Sequence, residues 1–391
     1  MAIVATALLV VLPQSTRAQA PASVAVPAAP TIAEIPVPTV NAAAYLVVEA
    51  TSGQVLAELN TRQKRDPASL TKLMTAYLVF DALHQKQISL SQRLRVPERA
   101  WKAEGSRMFI APGAPVTAED MVRGLIIQSG NDAAIALAIA VSGNEGEFVT
   151  KMNREAKKLG MSDTQFLNPT GLTQQGHYST AHDMAVLSLA LMRDFPQYMK
   201  FYAEKSFTFN KITQENRNRL LFLDPTVDGL KTGHTDAAGW CLITTVNRSP
   251  RKLLTVVLGA PSEAARIAES RKLIDWAFTA FEPKRLYEAK KPIQQLVVWK
   301  STVDSIPVGF NDDVAAVTTT GKAADITTEL TIVEPKFGPI AAGDSVGLLK
   351  VKRAGNLIYE RNVIAMESAP GAPMWKRMWH SVLLFFKGFT K

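Results

Sequence analysis

Two hairpin signals far apart in the chain, with helical periodicity between them, restrict the fold more than any other feature. The first pairs residues 42–50 with 54–59 around Thr51-Ser52-Gly53. The second pairs 240–246 with 252–259 around Asn247-Arg248-Ser249-Pro250. Between them apolar residues recur three and four apart, which predicts helices over 69–83, 118–128, 133–141, 146–159 and 181–193. Strands on both sides of a helical run pack most simply as one antiparallel sheet against a helical lobe, an α+β layout. Beyond Trp276 and Pro283 the texture changes. Short β-rich runs at 295–300, 315–319, 326–333, 346–352 and 357–365 are separated by Gly, Pro, Asn and Asp, and Ala354-Gly355-Asn356 turns the last hairpin. They predict a small all-β domain over 284–369. No set of catalytic residue types gathers there, so a stalk or protein-contact role is expected.

The segment Ser69-Leu70-Thr71-Lys72 puts a hydroxyl and an amine one helical turn apart. Asp66 can cap this helix, Pro67 suits its first turn, and Leu70, Leu73, Met74, Tyr77 and Phe80 give it an apolar face. A helix N-terminus also favours negative charge, which suits an alkoxide nucleophile. A lone Ser-x-x-Lys is common by chance. Here two further motifs follow in order. Ser129-Gly130-Asn131 lies between two apolar helical runs, and Lys231-Thr232-Gly233 precedes the strand-like run 240–246.

With this ordered set the chain resembles the low-molecular-mass penicillin-binding proteins, the serine-type D-alanyl-D-alanine carboxypeptidases. Asn168-Pro169-Thr170-Gly171-Leu172, Tyr178-Ser179-Thr180-Ala181-His182-Asp183, Asn216-Arg217-Asn218-Arg219, Gly233-His234-Thr235-Asp236 and Glu269-Ser270-Arg271-Lys272 extend the resemblance from about residue 41 to the C-terminus. It implies a penicillin-binding-protein/β-lactamase-like domain over 41–283, with the nucleophile between sheet and helical lobe. Serine needs a base, and no Ser-His-Asp set is visible, so an amine must serve. Lysine is a competent base only when burial or nearby positive charge lowers its pKa. Ser69 is therefore the expected nucleophile and Lys72 its base, with the Lys231 charge helping to depress Lys72. Ser129 and Lys231 are expected to relay a proton to the departing D-alanine amine. Asn131 is expected to bind a substrate amide and to help hold Lys72.

The Lys-Thr-Gly strand can bind an extended peptide by main-chain pairing, and a side chain at Gly233 would obstruct close approach. By resemblance the oxyanion hole uses the backbone N–H groups of Ser69 and His234, while Thr232 and Arg266 hold the terminal carboxylate. Arg266 as a solvated helix charge, and His234 acting through its backbone alone, are the plainer alternatives. The implied reaction removes the terminal D-alanine from a peptidoglycan stem pentapeptide through an acyl-enzyme on Ser69, and β-lactams would trap that intermediate as inhibitors. A class A β-lactamase would carry Asp where this chain has Gly130, and a catalytic loop Glu where it reads Asn168-Pro169-Thr170-Gly171-Leu172. A D,D-endopeptidase acting on cross-linked peptides stays open. A non-catalytic wall-binding protein would have no reason to keep all five motif side chains.

Composition narrows the rest. With 391 residues, 47% hydrophobic and 20% charged, the chain can build two cores. Its one cysteine, Cys241, sits in an apolar strand pattern and reads as a small buried hydrophobe; the five histidines lack ligand spacing. No metal and no cofactor are expected. The net charge of +9 comes from scattered Lys and Arg without a nucleic-acid-binding motif, so anionic lipid or wall polymer suits it better than nucleic acid.

Residues 1–20 read as a signal peptide ending Ala18-Gln19-Ala20, although no cation precedes the apolar run; 21–40 reads as a Pro/Ala-rich linker. Over 372–391 Trp375, Met378, Trp379, Val382, Phe385, Phe386 and Phe389 share one helical face, opposite Lys376, His380, Lys387 and Lys391. That pattern predicts an amphipathic helix lying in a membrane surface, too short and charged to span a bilayer. A terminal helix packed on the β domain is the alternative. The expected location is the periplasmic face of the bacterial inner membrane.

Overall fold

The computed structural model describes residues 35–321 and 325–388, so the expected signal peptide and most of the linker lie outside the described residues. Strands β1 (Ala44–Glu49) and β2 (Gln54–Leu59) form the first predicted hairpin. A 3-10 turn over Ala68–Thr71 runs directly into α1 (Lys72–His84), followed by α2 (Glu98–Trp101), α3 (Ala118–Ile126), α4 (Asn131–Ser142), α5 (Glu145–Leu159) and α6 (Ala181–Asp194). Thr117, Asn144 and Thr180 cap α3, α5 and α6 by accepting from backbone N–H groups, which fixes where those helices start. One short helix, α7 (Lys200–Ala203), leads to an exposed hairpin of β3 (Ser206–Phe209) and β4 (Ile212–Glu215). Another, α8 (Leu220–Leu223), leads to β5 (Val227–Thr235), β6 (Gly239–Arg248) and β7 (Arg251–Ala260).

The strands on either side of the helical run meet in one antiparallel sheet of order β2-β1-β7-β6-β5, as the bracketing hairpins require. Its β5 edge is unpaired in that order, so the Lys-Thr-Gly strand keeps a free side. Leu46, Val48, Ile243, Leu254 and Val256 from the sheet enter one continuous core with Leu73, Met74, Phe80 and Leu137 of the helical lobe. Helix α9 (Glu263–Ala280) covers the other sheet face through Leu273 and Ala277, packed with Tyr45, Val47 and Val257.

The β-rich part follows without a linker. It comprises β8 (Phe281–Tyr287), β9 (Pro292–Trp299), β10 (Ser305–Gly309), β11 (Val314–Thr319), β12 (Ile326–Ile332), β13 (Lys336–Phe337), β14 (Ser345–Arg353) and β15 (Asn356–Ala365). Leu296, Val308, Leu349, Val351 and Val363 form its separate core. A side-chain clamp ties the two parts together: Gln54 Nε2 donates to Val317 O at 2.8 Å and Gln54 Oε1 accepts from Val317 N at 3.1 Å.

Helix α10 (Met374–Gly388) rests on this domain by its polar side. Lys376 Nζ donates to Thr302 O at 3.1 Å, and Lys300 N donates to His380 Nδ1 at 2.8 Å. Trp375, Met378, Trp379, Phe385 and Phe386 of its apolar face are all exposed. No helix among the described residues is long and apolar enough to cross a membrane. Phe389 and Lys391 of the predicted helix lie outside the described residues.

Candidate active site

The 3-10 turn is the local device that makes the site. Asp66 Oδ1 accepts from Ala68 N at 2.8 Å, and Ala68 itself takes φ +47°. Ser69 therefore lies in the turn and Lys72 opens α1, rather than both sitting inside one α-helix. Positions three apart still face each other, because side chains at i and i+3 eclipse in a 3-10 helix. Lys72 Nζ is 3.0 Å from Ser69 Oγ and 2.5 Å from the Thr170 carbonyl, and Lys72 is 1% exposed. A neutral amine so placed donates to Thr170 and turns its lone pair toward the serine proton.

The loop that offers Thr170 is itself tied down. Asn168 Oδ1 accepts from Thr170 N, Thr170 Oγ1 and Gly171 N at 3.2, 2.9 and 2.7 Å. Gly171 has φ +82°, and a Cβ there would lie 1.8 Å from Ala68 O, so only glycine lets the loop close on the nucleophile turn. His177 braces the other side: Nδ1 accepts from Leu167 N at 3.3 Å, leaving Nε2–H for Thr71 Oγ1 at 2.9 Å. Burial pushes the His177 pKa down to about 4, so the ring is neutral, as those bonds require.

Burial is the main cause that lowers the Lys72 pKa to about 7. Asp132 pulls it back up and Arg217 lowers it further. The expected help from Lys231 runs in the other direction. Lys231 is held well below the ordinary lysine range by burial first, then by the charges of Lys72, Arg217 and Arg266. Two buried amines within one cleft cannot both keep protons cheaply.

Ser129 stands just before α4 at φ +63°, and its Oγ accepts from Lys231 Nζ at 2.9 Å. The second and third motifs thus meet as the sequence predicts. Asn131 does not hold Lys72 here. It is the first residue of α4, and its Nδ2 donates instead to Glu104 O at 2.6 Å. Gly233 also differs in what it accommodates: a Cβ there would meet Ala68 Cβ and Pro67 O at 3.2 Å, so the missing side chain lets β5 lie against the nucleophile turn.

Thr232 is buried on β5, while His234 is exposed with its ring 3.9 Å from that of Trp240. Arg266 is 3% exposed, not a solvated helix charge. Its guanidinium lies 4.9 Å above the Trp240 ring and bonds Gly233 O at 3.4 Å and Glu263 at 2.7 Å. Its Nε has no partner. Cys241 is fully buried and its thiol is pushed up to about 11 by burial, so it packs and does not react. Among the described residues no three His, Cys, Asp or Glu side chains gather into a metal-holding group.

Motif reading attaches no role to Thr170, Asp132, His177 or Arg217, although Thr170 and Arg217 lie in segments that carry the resemblance. Arg217 Nε donates to Gln128 O at 3.2 Å, which places its charge beside the second motif. The quoted Asn216-Arg217-Asn218 segment was a signal for it, without a role attached. As a whole the site is a serine with a buried, neutral-leaning amine at hydrogen-bond distance, a second hydroxyl–amine pair, and a free strand edge. That is equipment for acyl transfer.

A family model described as D-alanyl-D-alanine carboxypeptidase matches residues 30–262, and one described as the penicillin-binding protein 5 C-terminal domain matches 281–370. The chain is similar to the D-alanyl-D-alanine carboxypeptidase DacC of Escherichia coli K12, 38% identical over 357 residues that cover 89% of each chain. It is also 34% identical to DacF of Bacillus subtilis 168, over 84% of this chain and 85% of that one. Among solved structures, penicillin-binding protein 5 of Haemophilus influenzae superposes with a TM-score of 0.75 at 36% identity, over 86% of this chain and 99% of that one. Penicillin-binding protein D2 of Listeria monocytogenes, solved with ampicillin bound, gives 0.58 at 31% identity over 62% of this chain and 100% of that one.

Proposed function

This chain belongs to the D-alanyl-D-alanine carboxypeptidase family, and from that premise we propose that Ser69, Lys72, Ser129 and Lys231 carry its reaction. The protein is a serine-type D-Ala-D-Ala carboxypeptidase that acts on peptidoglycan peptides and binds penicillin. Lys72 takes the Ser69 proton as Oγ bonds to the carbonyl carbon of the penultimate D-alanine. Lys72 hands that proton on through Ser129 and Lys231 to the terminal D-alanine nitrogen, the C–N bond breaks, the amine leaves, and Lys72 is neutral again. Water then attacks the ester, giving up a proton to Lys72, and the serine hydroxyl is restored.

Backbone N–H groups of Ser69 and His234 receive the oxyanion, a contribution of roughly 3–4 kcal/mol per donor in comparable sites. Asn131 binds a substrate amide, Gly233 belongs to the strand along which the peptide lies, and Thr232 with Arg266 takes the terminal carboxylate. The unpartnered, buried Arg266 Nε supports that last assignment, since an unsatisfied buried donor is costly until a ligand meets it. One observation carries the reading: the buried Lys72 amine 3.0 Å from Ser69 Oγ, with a pKa of about 7. D-alanine release from an acylated peptide ending in D-Ala-D-Ala tests it. Release by the full chain and none by Ser69→Ala supports it; equal release by both contradicts it.

The enzyme works outside the cytoplasm, where its substrate is. The finer placement is peripheral, on the periplasmic face of the inner membrane. The exposed Trp375, Met378, Trp379, Phe385 and Phe386 face of α10 supports it, because such a face is satisfied in a lipid interface. Residues 41–280 form the peptidase unit and 281–369 the β-rich unit, slightly earlier than the expected boundary at 283 because β8 begins at Phe281, and 372–391 is the anchor.

A further inference from the structure

Of the five histidines only His177 is buried, at 5% exposed. A buried imidazole is costly unless its nitrogens find partners, and here both do, on two separate pieces of chain. Nε2–H donates to Thr71 Oγ1 at 2.9 Å, in the nucleophile turn and immediately before Lys72. Nδ1 accepts from Leu167 N at 3.3 Å and lies 3.4 Å from Asn168 Nδ2, where the loop carrying the Thr170 carbonyl begins. His177 N closes the far side of that loop by donating to Gln174 O at 2.9 Å. The Phe166 ring packs against the imidazole at 5.9 Å, edge to face.

Other side chains also hold the loop. Thr173 Oγ1 donates to Asp66 Oδ2 at 2.7 Å, but at the surface, where water competes for both partners. Thr75 Oγ1 donates to Pro169 O at 2.7 Å from within α1. The His177 tie differs from both because it ends inside the turn that carries Ser69.

We propose that His177 is a positioning residue for Lys72: it sets the gap between the nucleophile turn and the Thr170 carbonyl, and so keeps the base aimed at Ser69 and out of water. The proposal rests on the reading of Lys72 as the base of a carboxypeptidase. His177 acts through Thr71 and the loop, and Lys72 is held between what those two carry, Ser69 Oγ on one side and Thr170 O on the other. Burial is the largest cause that lowers the Lys72 pKa, so a loop that lifts admits water and returns the amine toward its charged form. The ring itself keeps one set of bonds across the neutral range, since burial lowers its own pKa to about 4 against the pull of Asp66.

The test is the pH dependence of Ser69 acylation by benzylpenicillin, using the full chain in detergent. Varying the penicillin concentration separates the acylation step k2 from the binding constant K′. His177→Gln keeps a donor for Thr71, His177→Asn keeps an acceptor for Leu167, and His177→Leu keeps neither. His177→Leu should lower k2 about a hundredfold with K′ within about twofold. The midpoint of its acid limb should rise from about 7 toward the ordinary lysine value of about 10.4. His177→Gln and His177→Asn should each recover part of k2 and part of the midpoint. Rates are taken per active site, counted with labelled penicillin, so loss of folded protein does not enter. If His177→Leu does not fold, the other two variants decide on the same readouts. A midpoint that stays at about 7 in every folded variant, or a loss confined to K′, overturns the positioning role and leaves the carboxypeptidase reading standing. A wild-type chain that penicillin does not acylate at Ser69 overturns that reading, and the role of His177 falls with it.

Discussion

Cations are buried at both ends of the sheet, with opposite company. Beside the β-rich domain, Arg251 and Glu49 are 5% and 3% exposed and paired at 3.1 Å. Arg251 also donates to Phe281 O and Ala277 O. Burial lifts the Glu49 carboxyl above its usual range and Arg251 pulls it back, so the pair remains a structural joint. In the cleft, Lys72 and Lys231 are as deeply buried, yet their hydrogen bonds go to hydroxyls and carbonyls. A cation buried with its counter-ion stays charged and holds structure. A lysine buried without one gives up its proton readily and becomes a base.

The largest effect that can break this contrast is on chemistry. Lys72→Met should slow acylation of Ser69 by benzylpenicillin about a thousandfold or more while leaving unfolding stability unchanged or higher, because it removes a poorly compensated buried amine. A marked loss of stability with activity kept would mean that Lys72 is structural after all. At the other end of the sheet the outcomes should trade places. Glu49→Ala leaves Arg251 buried and unpaired, so denaturant unfolding should show a loss of about 3–5 kcal/mol, with turnover per folded molecule preserved.

Glycine substitutions sharpen the comparison on a smaller scale. Gly171→Ala forces the Thr170 loop off the nucleophile turn and should cost roughly 1–3 kcal/mol along with most of the activity. Gly233→Ala meets neighbours at 3.2 Å that can yield slightly, so its effect should be the lesser of the two in the same assays. Least affected should be a chain ending at residue 370, whose kcat on a soluble peptide stays the same. Its sedimentation with anionic vesicles should be lost, and retained sedimentation would reject the α10 anchor.

The comparison also explains what the sequence disclosed. Ser69 and Lys72 were readable because a three-residue spacing aligns side chains in a 3-10 turn as well as in an α-helix. The partner that orients Lys72 is a main-chain carbonyl at Thr170, and no residue type announces a carbonyl. Asn131 was expected on Lys72, but its place at the first turn of α4 directs its amide to the 104–110 loop.

In the β-rich part, β9, β11, β12, β14 and β15 followed from their apolar runs. Strands β8, β10 and β13 did not: β8 and β10 carry Pro283 and Pro307, which lowers any strand reading from sequence, and β13 is only two residues long. Among the described residues, Trp375, Met378, Trp379, Val382, Phe385 and Phe386 of the apolar face of α10 are exposed together, as their spacing indicates. Its Lys376 and His380 contacts with the β-rich domain depend on tertiary placement and carry no local signal.

The most direct test of the account is the pH dependence of the second-order rate of benzylpenicillin acylation. The base must be neutral to accept the serine proton, so protonation of Lys72 at low pH should reduce the rate about tenfold per pH unit. The rate should rise through a midpoint at about 7 and then level, and Lys72→Met should lose that limb. A midpoint near the ordinary lysine value of about 10.4 would contradict the account, for Lys72 would then be a cation at neutral pH.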